Sequence, residues 1–200
     1  MKTRANQVIL FGAAFSLLVS PAVAIAQTTD TTTLQQRIAA RQTALKTKLD
    51  TATQTKIKAK CKAAQTLIAT SKTKTQNNLT KRYEVYFDVS QKVQALITRL
   101  AKQSVDTTEL GNVQTQLQAK TAQYKSDLDA YTLSIDDLSA VDCVTDPTGF
   151  KATLDTMRTQ RSTLLKDATD VKALQAPLVK ALGNARVALA NKMASSTGGN

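Results

Sequence analysis

The sequence predicts an all-α, elongated protein, in which an antiparallel helical hairpin of coiled-coil type is joined by a third long helix. Between Thr28 and Met193 the chain contains only three glycines and two prolines, which leaves room for very long helices. Apolar residues recur at alternating steps of three, four and seven, the pattern of a coiled-coil seam. Aromatic residues make up 4% of the chain and Trp is absent. This composition suits a helical seam better than a globular core.

Residues 1–26 have the features of a secretory signal peptide. A positively charged start is followed by an apolar stretch from Val8 to Val19 and by the small-x-small cleavage site Ala24-Ile25-Ala26. The mature chain is expected to begin near Gln27, the alternative being an uncleaved anchor. No later apolar run reaches the ~20 residues that a membrane span needs. We therefore expect an exported protein, periplasmic, cell-surface or extracellular, with no transmembrane segment after cleavage.

Residues 27–193 are predicted to form one elongated helical domain, and its first helix spans about 31–104. No glycine or proline occurs between Thr31 and Ser104. The apolar stripe slips in phase near Thr53, and the polar run Ser71–Asn78 is a candidate bend. The predicted seam residues are Leu34, Ile38, Leu45, Leu49, Ile57, Cys61, Ala64, Ile68, Leu79, Tyr83, Tyr86, Val93, Ile97 and Leu100.

A capping signal marks the start of a second helix, at about 107–140. Asp106 is the predicted N-cap, Glu109 answers it three residues later, and Val105 with Leu110 form a hydrophobic staple. Only a few residues separate this helix from the first, so the two are expected to fold back as a hairpin. The predicted seam is Leu110, Leu117, Tyr124, Leu128, Tyr131, Ile135 and Leu138, with polar Gln114 and Thr121 weakening it near the turn.

A third helix is predicted over 147–193, followed by a flexible tail at 194–200. Asp146 is its N-cap and Pro147 occupies the first helical position. Pro177 interrupts the pattern and predicts a kink near Ala173–Ala176. The helix has two possible placements: along residues 34–61, or turned back as a third member of a bundle. We favour the first placement, because it exposes less of the apolar stripe.

The two cysteines, Cys61 and Cys143, are predicted to form a disulfide. Disulfides are frequent in exported proteins. An antiparallel hairpin brings both residues to nearly the same height, with an offset of several ångströms that the loop around Cys143 is expected to absorb. In the chain-entropy model a bridge across this separation stabilises by about 4 to 5 kcal/mol. The alternative is two unpaired thiols, and the absence of C-x-x-C spacing argues against a redox pair.

The positive charge is concentrated in the first half of the first helix. Residues 31–83 contain twelve Lys or Arg and one acid, Asp50, whereas residues 84–200 contain thirteen of each sign. This asymmetry favours a surface for a polyanion such as an envelope polymer or lipid headgroups. The alternative is a solvated face that keeps a long helix soluble. We call the predicted surface the basic face: Lys46, Lys48, Lys56, Lys58, Lys60, Lys62, Lys72, Lys74, Lys81 and Arg82.

The sequence contains no pattern typical of an enzyme or of a metal or cofactor site. Histidine, the commonest general base and metal ligand, is absent. Asp136 and Asp137 are adjacent and therefore face different directions on a helix. Serine and threonine are plentiful, but no base accompanies them. Nucleic acid is a disfavoured ligand, because the basic face has few aromatic residues that could stack on bases.

Four segments carry a resemblance to known sequences. The chain resembles uncharacterised exported helical proteins of candidate-phyla bacteria such as Saccharibacteria and other Patescibacteria, a likeness that implies a secreted coiled-coil protein and no assigned activity. In signal peptide, basic charge and long hairpin the chain is also similar to Skp-type periplasmic chaperones, by architecture alone. The segments are R-x-A-A-R-x-x-A-L-K-x-K-L at 37–49, K-I-K-A-K-C-K-A-A-Q at 56–65, V-D-T-T-E-L at 105–110 and D-C-x-x-D-P-T-G-F-K at 142–151.

Two functions are consistent with these features. The first is a non-enzymatic structural or interaction protein of the cell envelope or surface, which uses coiled-coil faces and the basic first helix for self-association or for holding a protein partner. The second is a Skp-like holdase chaperone, whose basic helix attracts acidic exported clients.

Overall fold

The computed structural model describes residues 33–45 and 48–197, and the predicted signal peptide lies outside them. These residues contain helices and no strand, which confirms the all-α prediction. The long helices pack against one another. The five helices are α1 (Leu34–Ala44), α2 (Thr51–Lys102), α3 (Thr108–Ala140), α4 (Pro147–Ala173) and α5 (Gln175–Thr197).

Helices α2 and α3 form an antiparallel hairpin with a constant register. The Tyr124 hydroxyl reaches the carbonyl of Leu79 at 3.4 Å, and the Gln114 amide donates to the carbonyl of Ser90 at 2.9 Å. At the far end Cys61 pairs with Cys143, 82 residues later in the chain. In each of these pairs the midpoint of the two residue numbers is 102, or within one residue of it. The cysteines are therefore level without the offset that a turn centre at 104 or 105 predicts.

The predicted seam of the second helix is buried throughout α3. All seven apolar seam positions from Leu110 to Leu138 are buried, and so are Gln114 and Thr121. Gln114 is tolerated there because its amide donates to both the carbonyl and the hydroxyl of Ser90. A seven-residue repeat on one helix therefore accounts for most of the buried surface of the hairpin.

The turn between α2 and α3 is a Schellman motif centred on Ser104. Ser104 has a positive φ of 53°, and its N–H donates to the carbonyl of Ala101 at 2.9 Å. The N–H of Val105 donates to the carbonyl of Leu100 at 3.1 Å, and both side chains are buried in the same cluster. This pattern satisfies the last carbonyls of α2 and reverses the chain.

The start of α3 differs from the predicted capping box. Thr107 occupies the cap position without a side-chain hydrogen bond, and the Asp106 carboxylate accepts instead from the N–H of Thr108, two residues on. Glu109 does not close the box, because its carboxylate accepts from Asn184 on α5 at 2.7 Å. The expected pairing of Asp106 with Glu109 is therefore wrong, and the contact with α5 replaces it.

The predicted first helix, 31–104, is two helices, because α1 ends at Ala44 and α2 begins at Thr51. The Asp50 carboxylate accepts from the N–H of Thr53 at 2.6 Å and caps α2. Arg37 on α1 pairs with Asp137 on α3, which is level with Leu67 in the hairpin register. On one straight helix Arg37 would lie 30 residues beyond Leu67, or ~45 Å away. The ion pair therefore requires the chain to fold back.

Helices α4 and α5 return along α3 towards the turn. Leu164 of α4 is buried with Leu128 and Tyr131 of α3, and Ala181 and Ala185 of α5 are buried in the cluster at the turn. The favoured placement of the third helix along 34–61 is therefore wrong, and its alternative, a third member of a bundle, is what forms. The return covers the side of α3 that α2 leaves open.

The third helix breaks at Leu174, inside the window predicted from Pro177. Pro177 has no N–H, so the carbonyl of Ala173 lacks its helical donor, while the N–H of Leu178 donates to the carbonyl of Leu174 at 3.0 Å. The start of α4 is capped by Asp146, whose carboxylate accepts from the N–H of Gly149 at 2.8 Å, with proline in the first turn.

The helix continues past the predicted end at residue 193. Helix α5 extends to Thr197, so residues 194–197 of the predicted flexible tail are helical. The hydroxyls of Ser195 and Ser196 donate to the carbonyls of Lys192 and Met193, three residues earlier. These are local side-chain-to-backbone bonds of a kind that serine often makes within a helix.

Candidate functional site

Seven of the ten residues of the basic face are exposed on α2. Lys48 is exposed in the link before α2, Lys72 is half-buried, and Lys46 lies outside the described residues. Lys72 is held in an ion pair with Asp136 at 2.6 Å. The structure therefore leaves a smaller set of free cations on α2 than the sequence predicts: Lys56, Lys58, Lys60, Lys62, Lys74, Lys81 and Arg82.

None of these seven side chains forms an ion pair or a hydrogen bond with the described part of the chain. The acids of neighbouring helices are engaged elsewhere: Asp129 pairs with Lys125, and Asp142 accepts from the N–H of Val144. Exposed lysines without a local counter-charge produce a positive potential over this length of α2. The arrangement is suited to an anionic ligand that supplies the missing counter-charges.

The Cys61–Cys143 pair holds the most basic stretch of α2 in place. The sulfur atoms lie at disulfide-bonding distance, with Cα atoms 5.5 Å apart. Both residues are buried with Leu138 and Phe150, and the Gln65 amide donates to the carbonyl of Val141 at 2.9 Å. The lysines at 56–62 therefore extend from a helix segment that is fixed to the end of α3.

A buried ion-pair cluster around Asp137 holds α1 against α3. Asp137 is 2% exposed. One carboxylate oxygen pairs with Arg37 at 2.6 Å and the other with Arg41 at 2.8 Å. Burial alone would raise the pKa of Asp137, but the hydrogen bonds and charges of the two arginines outweigh it and hold the pKa below its usual value. Two of the cations that the sequence counts in 31–83 are thus neutralised inside the protein.

A second buried acid, Asp167 on α4, has no arginine partner. It is 5% exposed, and one of its oxygens is buried without a hydrogen-bond partner among the described residues. The pKa of Asp167 is raised to about 6, chiefly by burial and secondly by the neighbouring carboxylate of Asp127 on α3. Two carboxylates in one place share a proton more readily than they both ionise. Asp167 has the most strongly raised pKa among the acids of the described helices.

An apolar groove lies between α2 and the α4–α5 helices, with α3 as its floor. Leu117 of α3 is the floor residue, Val85 and Val89 belong to the α2 wall, and Leu165 and Leu178 belong to the opposite wall. The cavity has a volume of about 740 Å³, within the range of ligand pockets. It remains open because α2 and α4 both pack mainly against α3.

The groove exposes large apolar side chains between two cations. Val85 is 60% exposed and Leu165 is 54% exposed. Arg82 and Lys172 are the only charged residues that line it, and neither forms an ion pair with the described part of the chain. The basic face therefore continues into an apolar surface at Arg82.

The sequence reasoning missed this groove, although one signal pointed to it. Val85 and Val89 lie outside the predicted seam, which uses Tyr83, Tyr86 and Val93, and they are four residues apart on one helical face. A pair of β-branched apolar residues outside the seam is a weak indicator of a second contact surface. Leu165 on α4 is similar, because it is exposed next to the buried Leu164.

The described residues contain no group of three or more His, Cys, Asp or Glu side chains that could hold a metal ion. Asp127 and Asp167 do not line the groove. The described helices offer two surfaces suited to binding: the exposed cations of α2 and the apolar groove. No helix within 33–45 or 48–197 is long and apolar enough to cross a bilayer.

No protein-family model, curated protein or solved structure matches the chain. The resemblance to exported helical proteins of candidate-phyla bacteria stays a prediction.

Proposed function

We propose that this chain is an exported, non-enzymatic interaction protein of the cell envelope or surface, which holds an acidic partner against the basic face. One observation carries the proposal: seven cations on α2 are exposed and form no ion pair within the described helices. A solvated helix normally alternates its charges and pairs them at i,i+4. Elsewhere the chain does this, as Lys92 with Asp88 and Lys125 with Asp129.

The disulfide and the ion pairs of α1 support a role in which rigidity matters. The disulfide fixes the basic end of α2 through Cys61, and the ion pairs hold α1 over the end of α3. A preformed array of cations loses little conformational freedom when an anion binds. A paired-cysteine scaffold also suits the oxidising compartments that an exported protein enters.

The test compares two quadruple variants that lose the same charge. The first carries Lys→Gln at 56, 58, 60 and 62, and the control carries Lys→Gln at 92, 102, 166 and 192. Binding of fluorescein-labelled poly-L-glutamate is measured by anisotropy at 50 and 150 mM NaCl. We expect at least a ten-fold larger rise in Kd for the first variant, and a shallower salt dependence. Equal losses in both variants would contradict a specific basic face.

A holdase chaperone is the second candidate, and the exposed apolar side chains of the groove favour it. Val85, Val89 and Leu165 lie beside the basic face, where an unfolded acidic client would meet both charge and apolar surface. The measurement is light scattering of an unfolded secreted protein with and without the purified chain. Suppression of aggregation at stoichiometric amounts would favour the holdase, and its absence removes that candidate.

A further inference from the structure

The groove between α2 and α4–α5 has the length of a helix-binding site. Its far wall extends from Leu165 to Leu178, which is 13 residues, or ~20 Å at helical rise. An adjoining depression shares Thr169, Lys172 and Gln175 with it and adds Val179, which is also exposed. A partner helix of about four turns would therefore cover the whole surface.

The apolar side chains of the groove are placed to receive a helical stripe. Val85 and Val89 are one turn apart on α2, and Leu165 lies on the facing wall. On the same wall as Leu165, the lining residues Ala168 and Thr169 are small and leave the space open. Amphipathic helices fill such grooves with side chains at i, i+3, i+4 and i+7. A fourth helix placed here would bury the exposed apolar residues of the groove, Val85, Val89 and Leu165.

The charges of the groove specify the flanks of the occupant. Arg82 lies on the α2 side and Lys172 on the α4 side, and no acid lines the groove. A helix with acidic residues on either side of its apolar stripe would place a carboxylate near each cation. A helix with basic flanks would be repelled from the same two positions.

The basic helical faces of a second copy of the chain do not supply such a helix. Residues 171–200, which include α5, contain no Asp or Glu. The exposed stretch of α2 from 56 to 83 is likewise without acids. The acid-bearing helix α3 has its apolar stripe buried inside the hairpin. Those basic faces of a second copy would bring cations to Arg82 and Lys172.

We propose that this groove binds an amphipathic helix with acidic flanks, contributed by a different protein, and that the helix lies between α2 and α4–α5 as a fourth member of the bundle. The inference rests on the proposed role as an interaction protein and names the class of partner. Arg82 belongs to both surfaces, so a partner can continue from the groove onto the basic face. The apolar contacts define the position of the helix, and the cations select its flanks.

The test uses a synthetic peptide probe and the full chain. The probe is a fluorescein-labelled 18-residue peptide with Leu in an i, i+3, i+4, i+7 stripe and Glu on both flanks. Its Kd is measured by anisotropy against the native chain and against Val85→Glu and Leu165→Glu. Both side chains are more than half exposed, so the substitutions leave the core packing unchanged. Each should weaken binding at least ten-fold.

Matched controls place the same charge on exposed apolar residues outside the groove. Leu67 on α2 is 70% exposed and Val187 on α5 is 59% exposed, and neither lines the groove. Leu67→Glu and Val187→Glu should change Kd less than two-fold. Hydrogen exchange should show peptide-dependent protection at 82–89 and 165–178, a readout that does not depend on any variant. Protection elsewhere, or an equal loss of peptide affinity in the control variants, would overturn the assignment of the groove as the binding site.

Two further peptides test the class of partner. A peptide with the same composition but a scrambled stripe should bind at least ten-fold more weakly, and so should one with Lys in place of Glu. Equal binding of either would overturn the proposal. A dimer in sedimentation that Leu165→Glu abolishes, without binding of the Glu-flanked peptide, would assign the groove to self-association instead. Loss of poly-L-glutamate binding in the 56–62 variant, with no groove effect, would leave the proposed function standing without this inference.

Discussion

The buried carboxylate of Asp167 makes the bundle less stable at neutral pH than in mild acid. In the unfolded chain this group titrates near 3.8, and in the folded chain burial and the neighbouring Asp127 raise its pKa to about 6. Between these values the folded state binds more protons than the unfolded state. The contribution of Asp167 to the free energy of unfolding therefore falls as pH rises from about 4 to 6, and it levels off above that.

The size of the effect follows from the shift in pKa. A displacement of about two pH units corresponds to about 3 kcal/mol at pH 7. Replacement of Asp167 by Asn keeps the shape and removes the titration. We expect Asp167→Asn to stabilise the chain by about 2 kcal/mol more at pH 7 than at pH 4. The substitution removes the buried negative charge on the Asp167 carboxylate, one oxygen of which has no hydrogen-bond partner among the described residues.

The assay is urea unfolding followed by circular dichroism at 222 nm, at pH 4, 5, 6 and 7, with the disulfide intact. The matched control is Asp129→Asn, on the same helix as Asp127 but exposed and paired with Lys125. Its effect should stay within about 0.5 kcal/mol of zero at every pH. A gain for Asp167→Asn that does not vary between pH 4 and pH 7, or a loss at pH 7, would refute the reasoning.

Three further substitutions test contacts of the fold, each measured by urea unfolding at pH 7. Gly149→Ala should destabilise the chain by about 2–4 kcal/mol, because the new Cβ would lie 2.7 Å from the Ile38 side chain. The control Gly183→Ala has nothing within 4 Å of the new Cβ and should stabilise the chain by up to about 1 kcal/mol. Equal effects of the two substitutions would contradict the close approach at Gly149. Ser104→Gly should stabilise by about 0.5–1 kcal/mol, because it relieves a positive φ; a loss would argue against the turn. Asp137→Asn should destabilise by about 3 kcal/mol, because it leaves two arginines without their partner. The difference from wild type should shrink as pH falls below about 4, since the lowered pKa of Asp137 makes its contribution disappear there.

The parts of the fold that were predictable from sequence are those with a repeating local signal. The heptads of α3 place Leu117, Tyr124 and Leu138 on one face, and a single buried face requires a partner helix. The lack of breakers in α2 and the short link near Ser104 then leave an antiparallel hairpin as the simple solution. Cys61 and Cys143 become level as a geometric consequence of this hairpin.

The reversal before α2 was not predictable from the same signals, because its cause is a contact between distant residues. Arg37 and Arg41 read as part of a basic run, and nothing in the local sequence assigns them to Asp137, about 100 positions later. Asp50 is a local cap signal, but a cap alone does not distinguish a new helix from the start of a bend. The buried ion pair decides the direction of α1.

The basic face was predicted only in part, because it too depends on contacts between distant residues. Exposure of the lysines follows from their positions around the apolar stripe, but whether each one finds a counter-charge depends on the neighbouring helix. Lys72 meets Asp136 across the hairpin, whereas Lys74 meets no acid. The groove depends on the gap between α2 and α4, which is set by the return of the third helix and by the break at Leu174.

The constant hairpin register has a consequence for changes in chain length. The turn fixes one end of the hairpin and the disulfide fixes the other, with 41 residues from residue 102 to each cysteine. Deletion of seven residues from α2 alone would move Cys61 by ~10 Å along the axis, well beyond the reach of a disulfide. Equal deletions in α2 and α3 would keep the cysteines level and the seam in phase. Insertions and deletions between the turn and the disulfide are therefore tolerated only when α2 and α3 change together by whole heptads. The lengths of the two helices are thus coupled to each other.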